Sequence, residues 1–385
     1  MPPRPIIQTQ PRPGIIEFGI GQPAPGELPS EGLRHAADAA LARWGGLALS
    51  YGADRGPGPL LEWLEQHLGQ VDARAPAPGE LLVTAGISHA LDLVCTLCTA
   101  PGDVVLVESP CYHLALRILR DHPVELRAAP ADAGGLDVAA LEQQLAELRR
   151  AGRRARMLYT IPTFNNPTGR TLTAERRRAL IELAASEGLL IVEDDVYREL
   201  SYDGPPPPSL WSAAPPGTVL RLGSFAKSLG PGLRLGWMTG TAEQITRFTD
   251  GGLIDSGGGL NHFTGLVVAQ YGISGEYAAQ VERFGARYRA RRDALLAGLA
   301  AHMPPGCEWT EPAGGYFVWL SLPEGLDAAE LLGPAEASGV AYLPGAKFHS
   351  DGGGQRRLRL AFSLYGEDEL IEGVRRLGAV IAAAR

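Results

Sequence analysis

The sequence predicts an α/β protein: a large unit on a mainly parallel, doubly wound sheet, followed by a smaller α+β unit. Three observations point there. From residue 80 onward, short apolar runs bounded by Gly, Pro or polar residues alternate with stretches of helical periodicity. The chain has 385 residues, enough for two domains with sizeable cores. Near residue 277 the alternation gives way to one long helical stretch and then to a different rhythm. The expected division is an N-terminal arm joined to part of the small domain (1–48), a large domain (49–276) and a small C-terminal domain (277–385).

In order, the proline-rich residues 1–14 cannot form a regular helix and read as an extended arm. An apolar segment then ends in Gly19 and Gly21, which leave backbone N–H groups accessible. Ser30 suits the N-cap of a helix ending near Trp44. A Gly/Pro loop over 49–59 carries Tyr51, and a helix over 60–68 is expected to close at Gly69. Strands are predicted at 81–84, 104–107, 124–128, 156–161, 189–193, 219–223 and 233–238, with helices at 88–98, 114–120, 138–150 and 174–186. No helix separates the last two strands, so one of them is expected to run antiparallel. The C-terminal unit reads as a helix over 277–301, strand 315–322, helix 327–338, strands 340–343 and 358–363, and helix 368–384.

Composition excludes several function classes. Hydrophobic residues at 45% and charged residues at 20% are ordinary for a soluble protein. A net charge of −8 without a basic run argues against nucleic acid as a partner. No apolar run is long enough to cross a membrane, and the N-terminus lacks the apolar core of a secretory signal, so a cytoplasmic protein with no membrane partner is expected. Cys95, Cys98, Cys111 and Cys307 make no disulfide framework. Cys95 and Cys98, three apart in an apolar helical pattern, read as core rather than as a redox pair, and no metal site is expected.

In open α/β sheets, ligands bind beyond the carboxyl ends of the strands, and here those ends are polar. After the first strand, Ala85-Gly86-Ile87-Ser88 opens a helix whose free N–H groups and dipole suit a phosphate, although a plain helix cap has the same look. Tyr112 follows the second strand, either as a stacking ring or as a core tyrosine. Asn165-Asn166-Pro167-Thr168-Gly169 holds an amide between prolines, or is an ordinary turn. Strand 189–193 runs into Asp194-Asp195-Val196-Tyr197; a carboxylate there is costly unless paired. Ser224-Phe225-Ala226-Lys227 places a lysine at a buried strand's exit, where desolvation lowers its pKa and makes it a nucleophile. Arg234 follows seven residues on. The bland alternative is a Gly-rich turn with Lys227 and Arg234 in water. Arg359, inside an apolar strand, needs an anion: a substrate carboxylate or a structural Asp or Glu.

The bland alternatives do not account for the order of these features. The chain from about Ile15 to its end resembles the fold-type I, pyridoxal phosphate (PLP)-dependent class I/II aminotransferases. Within them it is similar to the 2-aminoadipate and aromatic aminotransferases and to the aminotransferase-like domain of MocR regulators. The resemblance rests on Asn166-Pro167-Thr168-Gly169, on Glu193-Asp194-Asp195-Val196-Tyr197-Arg198-Glu199-Leu200, on Ser224-Phe225-Ala226-Lys227 with Arg234, and on Arg359. It implies that Lys227 forms a Schiff base with PLP, that Asp194 pairs with the pyridine nitrogen, and that Asn166 and Tyr197 meet the ring oxygen. Tyr112 then stacks on the ring. Phosphate falls to the Ile87 and Ser88 amides, Ser224 and Arg234. Tyr51 reaches the phosphate of a neighbouring subunit, which implies a homodimer with sites at its interface. Arg359 holds the α-carboxylate, helped by backbone near Gly21 and by Asn166.

The implied reaction moves an amino group between an L-amino acid and a 2-oxo acid, with freed Lys227 shuttling the Cα proton. Decarboxylation, elimination or β/γ-replacement on the same fold, or a PLP-binding sensor without turnover, are the alternatives. Two departures are evident: Ile87 stands where relatives carry a small polar residue, and the arm before Ile15 is short for the helix that covers substrate in aminoadipate-type relatives. Gln22, His113, Asn261, His262 and Tyr342 are candidates for the pocket mouth. The absence of an obvious second arginine favours a neutral or aromatic amino donor.

Overall fold

The structure, a computed structural model, describes residues 6–385; the first five residues of the predicted arm lie outside the described residues. The strands are β1 (Ile16–Glu17), β2 (Leu81–Thr84), β3 (Val104–Glu108), β4 (Glu125–Ala129), the short pair β5 (Ala131–Asp132) and β6 (Gly135–Leu136), β7 (Ala155–Thr160), β8 (Leu190–Asp194), β9 (Val219–Ser224) and β10 (Gly236–Thr239). The C-terminal part adds β11 (Glu308–Trp309), β12 (Phe317–Ser321), β13 (Val340–Ala341), β14 (Leu343–Pro344) and β15 (Arg357–Ala361).

Seven strands form the large sheet in the order β2-β10-β9-β8-β7-β3-β4. β10 alone is antiparallel, to β2 and to β9; β4, β3, β7, β8 and β9 run parallel. Both faces are covered, so the strands are apolar throughout and alternation only decides which layer each residue joins. In β3, Val105 and Val107 pack with helices Ile87–Cys98 and His113–Arg120. Val104 and Leu106 face helices Val138–Arg150 and Ala174–Glu187. Asp137 and Thr173 start those last two helices by accepting from Ala140 and Arg176 backbone N–H groups.

A third cluster covers β2 and β10. Leu81, Val83 and Trp237 pack with Leu60, Leu64 and Leu68 of helix Gly58–Val71 and with Leu266 and Val268 of helix His262–Ile273. Ala36 and Ala40 bring helix Ser30–Trp44 into the same cluster, whereas β1 pairs in parallel with β13 of the C-terminal part. The N-terminal segment thus contacts both units. Ser30 is the first helical residue and Pro29 the cap, without a side-chain bond. Gly69 does not close its helix but lies inside it, where a Cβ would sit 2.9 Å from that of Ala75.

In the C-terminal part, β11-β12-β15-β14 form an antiparallel sheet, and helices Glu276–His302 and Glu367–Ala383 pack in its core through Leu295, Leu299, Leu370, Val374 and Leu377. Helix is confined to Leu332–Ala337 within the stretch predicted over 327–338. The strand expected over 340–343 divides, because Val340 pairs with Ile16 while Leu343 pairs with Arg359. Likewise β10 begins only at Gly236, since Pro231–Leu233 forms a 3-10 turn and Arg234 adopts φ 47°.

The parallel strands bring Thr84, Glu108, Thr160, Asp194 and Ser224 to one edge of the large sheet. A buried ionic network fixes that edge. Arg221 of β9, 1% exposed, donates to Asp195 at 2.8 Å and to Asp72, after helix Gly58–Val71, at 2.9 Å. Arg198 donates to the same Asp195 oxygen at 2.5 Å. Removing one partner from such a network leaves uncompensated buried charge. We expect Arg221→Met to lower unfolding free energy by about 3–5 kcal/mol in urea denaturation; a loss within ordinary surface-mutation range would show that the network does not fix this edge.

Candidate active site

Lys227 and Asp194 lie at the ends of β9 and β8. The Lys227 side chain is half-buried, and its Nζ donates to the Gly21 carbonyl at 2.8 Å. Desolvation first, then the positive charge of Arg359, lowers its pKa to about 8, against the opposing pull of Asp194. The backbone on either side is pinned: the Lys227 carbonyl accepts from Tyr316 Oη at 2.8 Å, and Ser228 Oγ bonds Tyr277 Oη at 2.7 Å. Asp194 is buried, and its Oδ2 accepts from Tyr159 Oη at 2.6 Å. Its Oδ1 is buried with no partner among the described residues. Burial raises this carboxyl to about 6, against the Tyr159 and Val196 hydrogen bonds, which favour the ionised form.

Arg234 lies beside the start of helix Ile87–Cys98. Gly86, at φ 85°, leads into helix Ile87–Cys98, whose first amides have no partner within the helix. Arg234 Nη2 donates to the Ala85 carbonyl at 3.2 Å and stands 3.1 Å from where a Cβ on Gly86 would be. A side chain at position 86 would fill this space. Ser224 Oγ, across the sheet edge, accepts from the Ala226 N–H at 3.1 Å. Ser224 is a neighbour of the Gly86 turn, since it pairs with Gly236, where a Cβ would stand 2.9 Å from Gly86 Cα, and Ile87 has only backbone to offer there.

Arg359 enters from β15. It is 3% exposed, and no carboxylate pairs with it among the described residues. Its Nη1 donates to Asn166 Oδ1 at 2.9 Å and its Nη2 to the Gly19 carbonyl at 2.7 Å, while Nε has no partner. The guanidinium stacks on Phe317 at 4.1 Å and Phe348 at 5.0 Å. Burial lowers its pKa to about 10. A guanidinium held by carbonyls and rings keeps its full charge for an incoming anion. Asn166 spends its oxygen on Arg359, leaving its amide nitrogen to face the Tyr197 hydroxyl. Buried Tyr197 packs edge-on to Tyr316 and Phe317. Half-buried Tyr112 begins helix His113–Arg120, close enough for Asp194, Arg234 and Arg359 to act on its hydroxyl. Gly21 is required where it is, since a Cβ there would lie 2.6 Å from the Phe317 ring.

The remaining expected positions make the following contacts. Tyr51 is 87% exposed and is not brought to this chain's own pocket. Asn261 and His262 hold the backbone of Arg234 and Leu47, and Tyr342 is buried in the C-terminal core with its hydroxyl on the Ala328 carbonyl. Gln22 accepts from Ser363 through its carbonyl, and His113 packs edge-on against Phe348. Sequence reasoning missed Tyr159, Tyr316, Phe317 and Phe348. For Tyr159 a signal existed: a hydroxyl inside an apolar strand needs a partner.

With this geometry in view, the comparisons with known proteins agree with one another. The family model "Aminotransferase class I and II" matches residues 13–377. The aromatic-amino-acid aminotransferase 1 of Thermococcus litoralis is 35% identical over 373 residues, covering 95% of this chain and 88% of that protein. The structure of Pyrococcus horikoshii kynurenine aminotransferase superposes with a TM-score of 0.91 at 35% identity, covering 96% of this chain and 91% of that one. The α-aminoadipate aminotransferase LysN of Thermus thermophilus, complexed with N-(5'-phosphopyridoxyl)-L-leucine, gives a TM-score of 0.86 at 34% identity over 96% and 93% of the two chains. The chain therefore belongs to the class I and II aminotransferases, and is a fold-type I, PLP-dependent transaminase.

Proposed function

We propose that this pocket takes an L-amino acid and a 2-oxo acid in turn, that Lys227 moves the proton at the substrate's Cα, and that Arg359 holds the substrate carboxylate. The observation that carries this reading is a lysine of lowered pKa between two buried groups, Asp194 and Arg359, each with one atom left open.

The residues fit PLP. The unpartnered Asp194 Oδ1 suits a protonated ring nitrogen, and the Asn166 amide with the Tyr197 hydroxyl beside it suits the ring oxygen. The Gly86 turn, the Ile87 and Ser88 amides, Ser224 and Arg234 suit the phosphate, and Tyr112 suits the ring face. When bound, the cofactor draws electrons from Cα and makes its proton acidic. Lys227, its pKa lowered to about 8, can take that proton and return it two atoms away, beyond the substrate nitrogen. Arg359 fixes the substrate so that the Cα–H faces the amine.

The aromatic walls (Tyr112, Tyr316, Phe317) and the relatives' names support a neutral or aromatic amino donor. A homodimer is part of the same reading. Exposed Leu47, Leu49, Tyr51 and Leu253 support it, at 71%, 73%, 87% and 65% exposure, with Tyr51 reaching the partner's phosphate site. A cytoplasmic setting is supported by four cysteines present as free thiols.

The chain has only two lysines, Lys227 and Lys347, so the test is direct. Borohydride reduction of the PLP-loaded protein should fix the label on Lys227, and Lys227→Ala should abolish turnover; a label on Lys347 or normal turnover would overturn the proposal. PLP incorporation by the apoprotein should speed up as pH rises and level off above about 8, because the neutral amine attacks. Arg359→Gln should raise KM for amino donors by about 10–100-fold, as expected for a lost hydrogen bond to a charged group, at unchanged cofactor content. An unchanged KM would remove Arg359 from carboxylate binding.

A further inference from the structure

We propose that Tyr159 is a positioning residue: its hydroxyl, donating to Asp194 Oδ2, turns the carboxylate so that Oδ1 alone faces the cofactor's ring nitrogen. This rests on the reading of Asp194 as that nitrogen's partner.

Register places the two side chains together. Tyr159 of β7 pairs with Val192 of β8, and Asp194 lies two residues further on, on the same face. Tyr159 is fully buried, and its hydroxyl's one hydrogen bond among the described residues is the 2.6 Å contact to Asp194. Around the ring are Cys111, Met157 and Val192 of an apolar cluster, so packing alone would be served by phenylalanine. A buried hydroxyl is costly without a partner, and the partner here is a single carboxylate oxygen. A phenol donating to a carboxylate makes a short, charge-assisted bond.

The other titratable groups facing Asp194 are Cys111 and Tyr112 after β3, Lys227 after β9, and Asp195 and Tyr197 on its own loop. None of these side chains donates a hydrogen bond to Oδ2. Without the Tyr159 hydroxyl, Oδ2 loses its side-chain donor and neither oxygen is held by a side chain among the described residues, the charged form is less favoured, and the terminal torsion, intrinsically broad, is freed.

The probe is pyridoxamine phosphate, which has the ring nitrogen and phosphate but no aldehyde for Lys227. Its affinity for the apoprotein is read by quenching of tryptophan fluorescence. Tyr159→Phe should weaken binding about 10–100-fold, the range for a hydrogen bond to a charged group. The binding contributed by ionised Asp194 is present above its pKa and fades as pH falls through about 6. In Tyr159→Phe that fade should begin at higher pH. The ligand's own titration is common to both proteins, so only the difference is read.

Asp194→Asn should also weaken binding, and adding Tyr159→Phe to it should change nothing more. Full affinity in Tyr159→Phe, with weak binding in Asp194→Asn, overturns the inference and leaves the Asp194 reading standing. Full affinity in Asp194→Asn overturns that reading itself. Equal losses from Tyr159→Phe in both backgrounds would show that Tyr159 acts by packing, which contradicts the proposal. If Tyr159→Phe does not fold, 3-fluorotyrosine at 159, of similar shape and a stronger donor, should shift the fade to lower pH. An unmoved fade overturns the inference.

Discussion

A carboxylate at the buried end of a strand is expensive unless something holds it, and β8 ends in two. Asp195 is neutralised by Arg221 and Arg198, and through Arg221 it is tied to Asp72 beyond the neighbouring helix. Asp194 has no salt bridge among the described residues; Tyr159 holds one oxygen and the other has no hydrogen-bond partner there. The network on Asp195 makes the geometry of Asp194 rigid, and the open oxygen makes it useful. Lys227, Tyr112 and Tyr197 lie close enough to that point to share its field.

The pocket is also where the two units meet. Arg359 comes from the C-terminal sheet but is clamped by Asn166 of the large unit and Gly19 of the N-terminal segment. Lys227 comes from the large sheet but rests on the Gly21 carbonyl, with Tyr316 of the C-terminal part on its backbone. Each charged group is therefore fixed by elements distant in sequence, which is how a site keeps its geometry through repeated binding and release.

Much of this was legible in the sequence. Continuous apolar strands and the spacing of helices carried the large sheet, and even its antiparallel strand, because a direct turn between 223 and 236 leaves no room for a crossover helix. Polar residues after the strands carried Lys227, Asp194 and Asn166, since each breaks an apolar run at a place that tertiary packing buries wholly or in part, while Arg234 stays exposed. What escaped depends on contacts across the sequence. Tyr159 looks like any strand tyrosine until register sets it beside Asp194. Arg359 reads in the sequence as either an ion pair or a substrate site, and its actual partners, an amide oxygen, a backbone carbonyl and two rings, come from elements far apart in the chain. Ser30 and Gly69 were misplaced because local propensity yields to packing at helix ends.

The most direct test of the account is a pair of half-reactions followed by visible absorbance on the PLP-loaded protein. Adding one aromatic L-amino acid should bleach the bound cofactor's band, and a 2-oxo acid should restore it, with neither ammonia nor carbon dioxide released. A band that persists while ammonia or carbon dioxide accumulates would contradict the account, for the pocket would then be breaking a different bond at Cα.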